Sequence, residues 1–164
     1  MDASWRVVVL GVVVTLGIVL GAGIVCVSAQ AGDPRIGTWK LNVEKSKFSP
    51  GPAPQSQTVK VEAAGEGEKA ITEGINAAGA ATKTEYTAQY DGKNYPLTGS
   101  QNADTVSLKR IDARTTVRTD KKGENVVTTL TRVVSEDGKT MTVTTKGTNA
   151  QGQAVDNVSV WEKQ

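Results

Sequence analysis

The chain has 164 residues, of which 38% are hydrophobic and 22% are charged, and its formal net charge is +2. A small net charge with both signs alternating along the chain is typical of a solvated surface, and it argues against a nucleic-acid-binding face, which needs clustered Lys and Arg. The chain contains no histidine. This excludes Ser-His-Asp triads, Cys-His pairs and metal sites built on histidine.

The N-terminus has the pattern of an export signal. Arg6 precedes an apolar run from Val7 to Val27, and both residues 27–29 (Val-Ser-Ala) and residues 29–31 (Ala-Gln-Ala) fit the small-x-small pattern that signal peptidase recognises. We therefore predict cleavage after Ala29 or Ala31. The alternative is an uncleaved anchor, because a run of this length can cross a bilayer of about 30 Å.

This prediction divides the chain into a signal peptide, residues 1–29, and one β domain, residues 30–164. The mature protein is then exported to the periplasm or the extracellular space and has no membrane span. Cys26, the only cysteine, leaves with the leader, since Val25 in front of it is not the small residue that a lipoprotein signal requires. Without a disulfide, the domain must be stabilised by sheet hydrogen bonds and apolar burial.

After the leader, apolar residues recur at every second position, and no helical period is found. Val and Thr, which are good strand formers, dominate these segments. Each predicted strand therefore buries one face only. The apolar faces are Trp39, Leu41 and Val43; Val59, Val61 and Ala63; Tyr86, Ala88 and Tyr90; Val106 and Leu108; Val126, Leu130 and Val134; and Met141 and Val143.

Turn sequences separate the segments about every ten residues, as in all-β proteins. Residues 90–95 and 136–141 contain Asp-Gly, which tolerates the positive φ of a tight hairpin, and glycines serve the same role at 64–69, 77–81, 120–125 and 149–154. The one long connection, Glu44–Gln57, contains prolines that exclude a helix. Because the other connections are short, we predict an all-β, antiparallel up-and-down barrel of about eight to ten strands in preference to a Greek-key sandwich.

The first predicted strand, GTWKLN at residues 37–42, resembles the Gly-x-Trp opening strand of lipocalins and fatty-acid-binding proteins. The last segment, NVSVWEKQ at residues 157–164, resembles the strand that closes the fatty-acid-binding barrel. The resemblance implies a lipocalin-like barrel that is plugged at one end by Trp39 and binds a small apolar or amphipathic ligand. In fatty-acid-binding proteins an Arg-x-Tyr pair in the last strand binds the ligand carboxylate, and Ser159 and Trp161 stand at those positions here.

The mature chain also resembles, more closely, a group of secreted bacterial proteins that has no assigned activity. The shared phrases are KSKFSPGPAP, YDGKNYPLTG, DTVSLKRID and SEDGKTMTVTTKGTNAQG. In this chain the proline-rich segment occupies the place of the helix-turn-helix lid that follows the first strand of fatty-acid-binding proteins.

Four aromatic side chains are candidates for the barrel interior. Trp39 is predicted to be a structural plug, with ligand contact as the alternative. Tyr86 and Tyr90 share one face of a strand, and they suit either a ligand cavity or an ordinary core. Both faces of the strand that contains Trp161 carry apolar groups, so either face could point inward.

Two arginines are the candidate anchors for a carboxylate group of the ligand. Arg110 has the parity of Leu108, and Arg132 has the parity of Leu130, so each could point inward. A buried arginine needs an anionic partner, which could be Asp112, Glu85 or the ligand. The alternative is that both lie near strand ends and reach water.

Threonines alternate with valines in the second half of the chain. They are interpreted as strand formers on the outer face, with a hydroxyl-lined interior as the alternative. The set comprises Thr128, Thr129, Thr131, Thr142, Thr144 and Thr145.

These patterns predict an exported, monomeric, lipocalin-like barrel that binds a small, partly apolar ligand. The alternative is a structural or interaction module whose barrel is filled by its own side chains. A hydrolase that uses a pair of carboxylates ranks below both, because the acidic residues have the placement of surface charges in turns. No enzymatic activity, cofactor, metal ion or nucleic-acid partner is predicted.

Overall fold

The computed structural model describes residues 32–164, and all regular secondary structure in this range is β-strand. The predicted signal peptide and Cys26 lie outside the described residues. Within them, no helix has the length and apolar character needed to cross a bilayer. The strands are β1 (Gly37–Lys47), β2 (Ser56–Ala64), β3 (Gly67–Ile75), β4 (Ala81–Gln89), β5 (Tyr95–Thr98), β6 (Thr105–Arg110), β7 (Thr115–Lys122), β8 (Asn125–Val134), β9 (Thr140–Thr148) and β10 (Ala154–Lys163).

The ten strands form one closed antiparallel barrel. Each strand pairs with the strand before it and the strand after it, and β10 pairs with β1 to complete the cylinder. The predicted all-β up-and-down barrel is therefore confirmed. Closure gives every strand two neighbours, so the barrel has no free sheet edge.

The predicted turn sequences lie at the hairpins. Gly92 and Gly138 of the two Asp-Gly pairs have φ of 75° and 67°, in the left-handed region that glycine enters without steric cost. The proline-rich connection is shorter than predicted, because β1 continues to Lys47 and β2 begins at Ser56. A shift in the pairing of β1 with β10 between Asn42 and Lys47 lets β1 bend, and the Ser46 hydroxyl donates to the Asn42 carbonyl at 2.6 Å.

Two residues of the predicted inner faces are exposed: Ala63, which lies next to the turn at 65–66, and Val126. Val126 is 58% exposed, although it has the parity of Leu130. The pairing of β7 with β8 shifts between Asp120 and Lys121, so that Val127 is an extra residue in β8. The bulge reverses the alternation, and Val127 packs on the core in place of Val126.

The two tryptophans of the barrel point inward. Trp39 is fully buried; its indole N–H donates to the Arg35 carbonyl at 2.8 Å, and the Lys163 Nζ lies 5.1 Å from the centre of its ring. Trp161 is buried beside its β9 partner Met141, which settles the orientation of β10. Its indole N–H donates to the Ser159 hydroxyl at 2.9 Å.

The barrel has two ends that differ in sequence and packing. We call the end at which β1 begins the closed end, and the other end the open end. The closed end comprises residues 32–36 and the turns at 65–66, 90–94, 111–114 and 135–139; the open end comprises the connections at 48–55, 76–80, 99–104, 123–124 and 149–153.

Candidate ligand cavity above a buried charge network

A buried carboxylate lies at the centre of the closed end. Glu68 has no exposed surface and points inward from the start of β3. Its Oε1 accepts hydrogen bonds from Arg132 Nη1 at 2.6 Å and from the Tyr86 hydroxyl at 2.5 Å. Its Oε2 accepts from Arg35 Nη1 at 2.8 Å and from the Tyr90 hydroxyl at 2.6 Å. Both oxygens are thus occupied, by four donors from three separate parts of the chain.

The electrostatics of this cluster keep Glu68 ionised. Burial raises the pKa of a carboxyl group, but the guanidinium groups of Arg132 and Arg35, with the hydroxyls of Tyr86 and Tyr90, outweigh it and lower the pKa of Glu68 to about 2. Burial lowers the pKa of Arg132, but the neighbouring Tyr86 and Glu68 raise it by more. The pKa of Arg132 therefore lies above its usual value. The pKa of Tyr86 is raised, chiefly because burial disfavours the phenolate.

Arg35 links this carboxylate to the N-terminal segment of the described chain. Its side chain is 1% exposed, and its Nη2 lies 2.5 Å from Asp33 Oδ2. The same Nη2 donates to the Tyr90 hydroxyl, and Nη1 also donates to the Thr116 hydroxyl at 2.9 Å. Arg110 reaches the cluster from β6, with its Nη2 2.5 Å from Asp33 Oδ2 and its guanidinium 4.4 Å from the centre of the Tyr90 ring.

A second ion pair lies beside the network. Arg118 donates to Asp120 through Nε at 2.6 Å and Nη2 at 2.9 Å, and its guanidinium lies 4.7 Å from the centre of the Tyr86 ring. With this pair included, four guanidinium groups, of Arg35, Arg110, Arg118 and Arg132, meet three carboxylates, of Asp33, Glu68 and Asp120. The group therefore carries one net positive charge.

An internal cavity of about 190 Å³ lies between this network and the open end of the barrel. Its walls are mainly apolar, and its charged lining comes from arginines alone. Arg132 Nη2 is buried and has no hydrogen-bond partner within residues 32–164. The lining residues are Arg35, Gln57, Val59, Val61, Ala70, Thr72, Thr84, Tyr86, Arg118, Leu130, Arg132, Met141, Val143 and Trp161.

The cavity continues toward the open end. A larger basin of about 710 Å³ there shares four lining residues with it: Gln57, Leu130, Val143 and Trp161. The proline-rich connection forms one wall of this basin through Phe48 and two of its prolines. The interior thus has an arginine-bearing floor, an apolar middle and a wider mouth.

The structure brings three of the predicted site residues together. Tyr86, Arg132 and Trp161 line the cavity. Tyr90 and Arg110 lie below it, in the closed-end network, and do not line it. Trp39 is packed at the closed end and does not line the cavity either. That Tyr86, Tyr90, Arg110, Arg132 and Trp161 bind a ligand stays a prediction.

Of the partners expected for the two arginines, Glu85 and Asp112 were wrong, and the ligand stays a prediction. Arg110 is exposed at the end of β6 and pairs with Asp33. Glu85 points outward and pairs with Lys69 at 2.8 Å, since it alternates with the inward Tyr86. Asp112 accepts from backbone N–H groups in the β6–β7 turn, among them that of Thr115 at 2.7 Å. The partner of Arg132 is Glu68, and Arg132 is buried instead of reaching water.

Most of the threonines follow the outer-face interpretation. Thr128 is the buried member of the set, and its hydroxyl lies 3.4 Å from Asp120 Oδ2. Thr145 lines the basin at the open end. Thr129, Thr131, Thr142 and Thr144 are half-buried and alternate with inward-pointing residues.

The sequence analysis missed Glu68, Arg35 and Thr116. Glu68 follows Gly65-Glu66-Gly67, and a charged residue beside such a turn is ordinarily solvated. The available signal was parity, because Glu68 shares a face with Ala70 and Thr72. Among the residues that the structure covers, no group of three or more Asp, Glu, His or Cys side chains is placed to hold a metal ion.

Comparisons with known proteins assign the chain to no family. No family model matches it, and no curated protein matches it. Six chains of solved structures match. One is the zebrafish ileal bile acid-binding protein complexed with cholic acid, with a TM-score of 0.49 and 12% sequence identity over 80% of this chain and 99% of that chain. A likeness of this size carries no argument about the ligand or the functional residues.

Proposed function

We propose that this chain binds a small, partly apolar monoanion inside its barrel. The anionic group lies against Arg132 Nη2, and the apolar body lies against Val61, Val143 and Trp161. The observation that carries the proposal is the inner cavity, whose charged lining comes from arginines alone, together with the buried Nη2 of Arg132, which has no partner within residues 32–164.

An unpartnered buried donor is costly. Leaving a buried donor without an acceptor costs about 1–3 kcal/mol, and more for a charged group. Both oxygens of Glu68 already accept two hydrogen bonds each, so this carboxylate has little capacity left for Nη2. A ligand carboxylate would satisfy Nη2 and balance the one net positive charge of the surrounding groups.

The cavity volume limits the size of the buried part of the ligand. A cavity of about 150 Å³ with apolar walls holds a benzene molecule. The inner cavity of about 190 Å³ therefore suits one ring with a small substituent, or a short alkyl chain. The wider mouth would hold the rest of a longer ligand.

Two features favour binding over the alternatives. Glu68, the fully buried carboxylate, has a pKa of about 2 and accepts four hydrogen bonds, so it is a weak base closed off from a reactant. A module filled entirely by its own side chains would have no use for the inner cavity or for an unpartnered arginine donor.

Isothermal titration calorimetry with 4-methoxybenzoate tests the proposal. Charge-assisted hydrogen bonds are worth about 1.5–3 kcal/mol, so Arg132→Gln is expected to weaken binding by about tenfold or more. Because that variant also disturbs Glu68, Ala70→Leu provides a second test by filling the cavity, and it should abolish binding. Ala154→Leu, an exposed position at the start of β10 that lines neither the cavity nor the basins, is the matched control and should bind as the parent chain does.

The proposal is overturned if 4-methoxybenzoate gives no binding heat with the parent chain. It is equally overturned if Ala70→Leu binds as tightly as Ala154→Leu, because the ligand would then lie outside the cavity.

We propose further that binding takes place after export, in the periplasm or outside the cell. The apolar run Val7–Val27 and its small-residue exit support this. N-terminal sequencing of the protein recovered from its source should begin at Gln30 or Gly32. A chain that retains Met1 would contradict cleavage.

A further inference from the structure

We infer that the mouth of the barrel binds a neutral, hydroxyl-rich group, such as a sugar ring or another polyol, carried on the outer end of the ligand. This inference rests on the proposed function, since it concerns the part of the same ligand that extends beyond the inner cavity.

The composition of the mouth is the first support. Two adjoining basins, of about 710 and 550 Å³, share Gln57, Asn76 and Gln151. Four more amide side chains line one basin or the other, and Lys83 is the one charged residue among the described residues that line them. Since 22% of the chain is charged, this lining is depleted in charge and enriched in neutral polar groups. The additional amides are Gln101, Asn102, Asn149 and Asn157.

Asn102 and Asn149 donate to Thr148 and Gln153, whereas the hydrogen bonds of Asn76 and Asn157 leave their donors free. The Asn76 Oδ1 accepts from the backbone N–H groups of Ala78 at 3.0 Å and Ala80 at 2.9 Å. The Asn157 Oδ1 accepts from the Ser49 N–H at 2.8 Å. In both residues the oxygen is committed to the fold, and the NH₂ group is available to an acceptor in the basin.

Gln57 occupies the junction of these spaces. It lines the inner cavity and both basins, and its half-buried side chain makes no hydrogen bond to another described residue. An unpaired amide offers one acceptor and two donors at one point. A hydroxyl group, which both donates and accepts, matches it better than a carboxylate, which only accepts.

Apolar surface lies next to the amides. Phe48, Pro52 and Pro54 form one wall of the larger basin, and the Trp161 ring forms part of its base. The indole N–H of Trp161 already donates to Ser159, so the ring offers the ligand its apolar surface. A pyranose ring has C–H groups on its faces and hydroxyls around its edge, and this combination fits apolar walls interrupted by amides.

A charged group at the outer end of the ligand is disfavoured by the uncharged lining of the larger basin. The larger basin has no charged side chain in its lining. Moving a charged group from water into such a site costs free energy that no partner returns. The structure therefore assigns the ligand two unlike ends: an anionic group at Arg132 and a neutral, hydroxylated group at the mouth.

The experiment compares three probes by isothermal titration calorimetry. They are 4-methoxybenzoate, 4-carboxyphenyl β-D-glucopyranoside and terephthalate, which share a benzoate group and differ at the outer end. The glucoside is expected to bind at least tenfold more tightly than 4-methoxybenzoate, and terephthalate is expected to gain nothing. In the double variant Gln57→Met/Gln151→Met the ratio between glucoside and 4-methoxybenzoate should fall below threefold. Gln164→Met, an exposed amide at the closed end, is the control and should preserve the ratio.

The outcomes separate this inference from the proposed function. If 4-methoxybenzoate binds and the glucoside binds no better, this inference alone is overturned. A tenfold gain that survives in the double variant overturns the assignment to the mouth amides. If no probe binds, the proposed function fails, and this inference fails with it.

Discussion

The two ends of the barrel differ in whether their polar side chains have hydrogen-bond partners. At the closed end, Glu68, Arg35 and Tyr90 are buried or partly buried and bonded to one another. At the open end, amides such as Gln57 and Asn76 line the larger basin, with NH₂ groups that are not committed to the fold. The closed end completes its own hydrogen bonds, whereas the open end leaves donors unpaired.

This contrast separates structural polarity from polarity available to a ligand. A buried charge is tolerated when its partners are fixed, and removing one partner then destabilises the fold. Arg132 joins the two regimes, because its Nη1 is bound to Glu68 and its Nη2 has no partner among the described residues.

The largest effect is expected from Glu68→Gln. The change leaves two buried guanidinium groups, those of Arg35 and Arg132, without their shared countercharge, which should cost about 3–5 kcal/mol of unfolding free energy. The matched control is Glu73→Gln, whose pair with Lys83 is exposed to solvent and should contribute little to stability. Urea denaturation of both variants measures the difference. Equal stabilities would show that the closed-end network does not stabilise the fold.

Replacing the tryptophan at the closed end should cost more stability than replacing the tryptophan that lines the cavity. Trp39→Ala is expected to cost about 3–5 kcal/mol, because a fully buried ring at the closed end leaves a cavity. Trp161→Ala should cost at least about 1 kcal/mol less, since its ring already borders empty space and has fewer packing partners to lose. Chemical denaturation provides the comparison. An unchanged stability for Trp39→Ala would remove this residue from the core.

The ionised Glu68 at the closed end should also make the free energy of unfolding depend on pH. The pKa of Glu68 is lowered from 4.5 to about 2 in the folded chain, with Arg35, Arg132, Tyr86 and Tyr90 facing it. A lowered pKa stabilises the folded state above the unfolded value, so about 3 kcal/mol should be present above pH 4.5 and lost as the pH falls toward 2. Urea denaturation at pH 6, 4, 3 and 2 should show the stability gap between the parent chain and Glu68→Gln shrinking over that window. A gap that is constant with pH contradicts the assignment.

The architecture could be predicted from the sequence because it depends on local patterns. Alternation with a period of two defined the strands, and glycine turns such as the one at Gly138 defined the hairpins. The orientation of β10 could not be predicted, since Trp161 and Val158 compete for the interior. Burial favours the larger ring: Trp161 is 8% exposed and Val158 is 36% exposed.

The charge network could not be predicted, because it depends on distant pairs. Glu68 is 33 positions from Arg35 and 64 positions from Arg132 along the chain. Only the barrel register brings them together. Parity did place Arg132 inside, and it favours Glu68, which shares a face with Ala70, over Glu85, which alternates with Tyr86. It gives no means of telling which inward groups meet across the barrel.

The most direct test of the two-ended account is methyl NMR of the protein titrated with 4-methoxybenzoate. The account predicts shifts at the cavity-lining methyl groups of Leu130, Met141 and Val143, and none at Leu108, which is fully buried toward the closed end. Shifts confined to exposed methyls such as those of Ile111 and Val126, or no shifts at all, would contradict it.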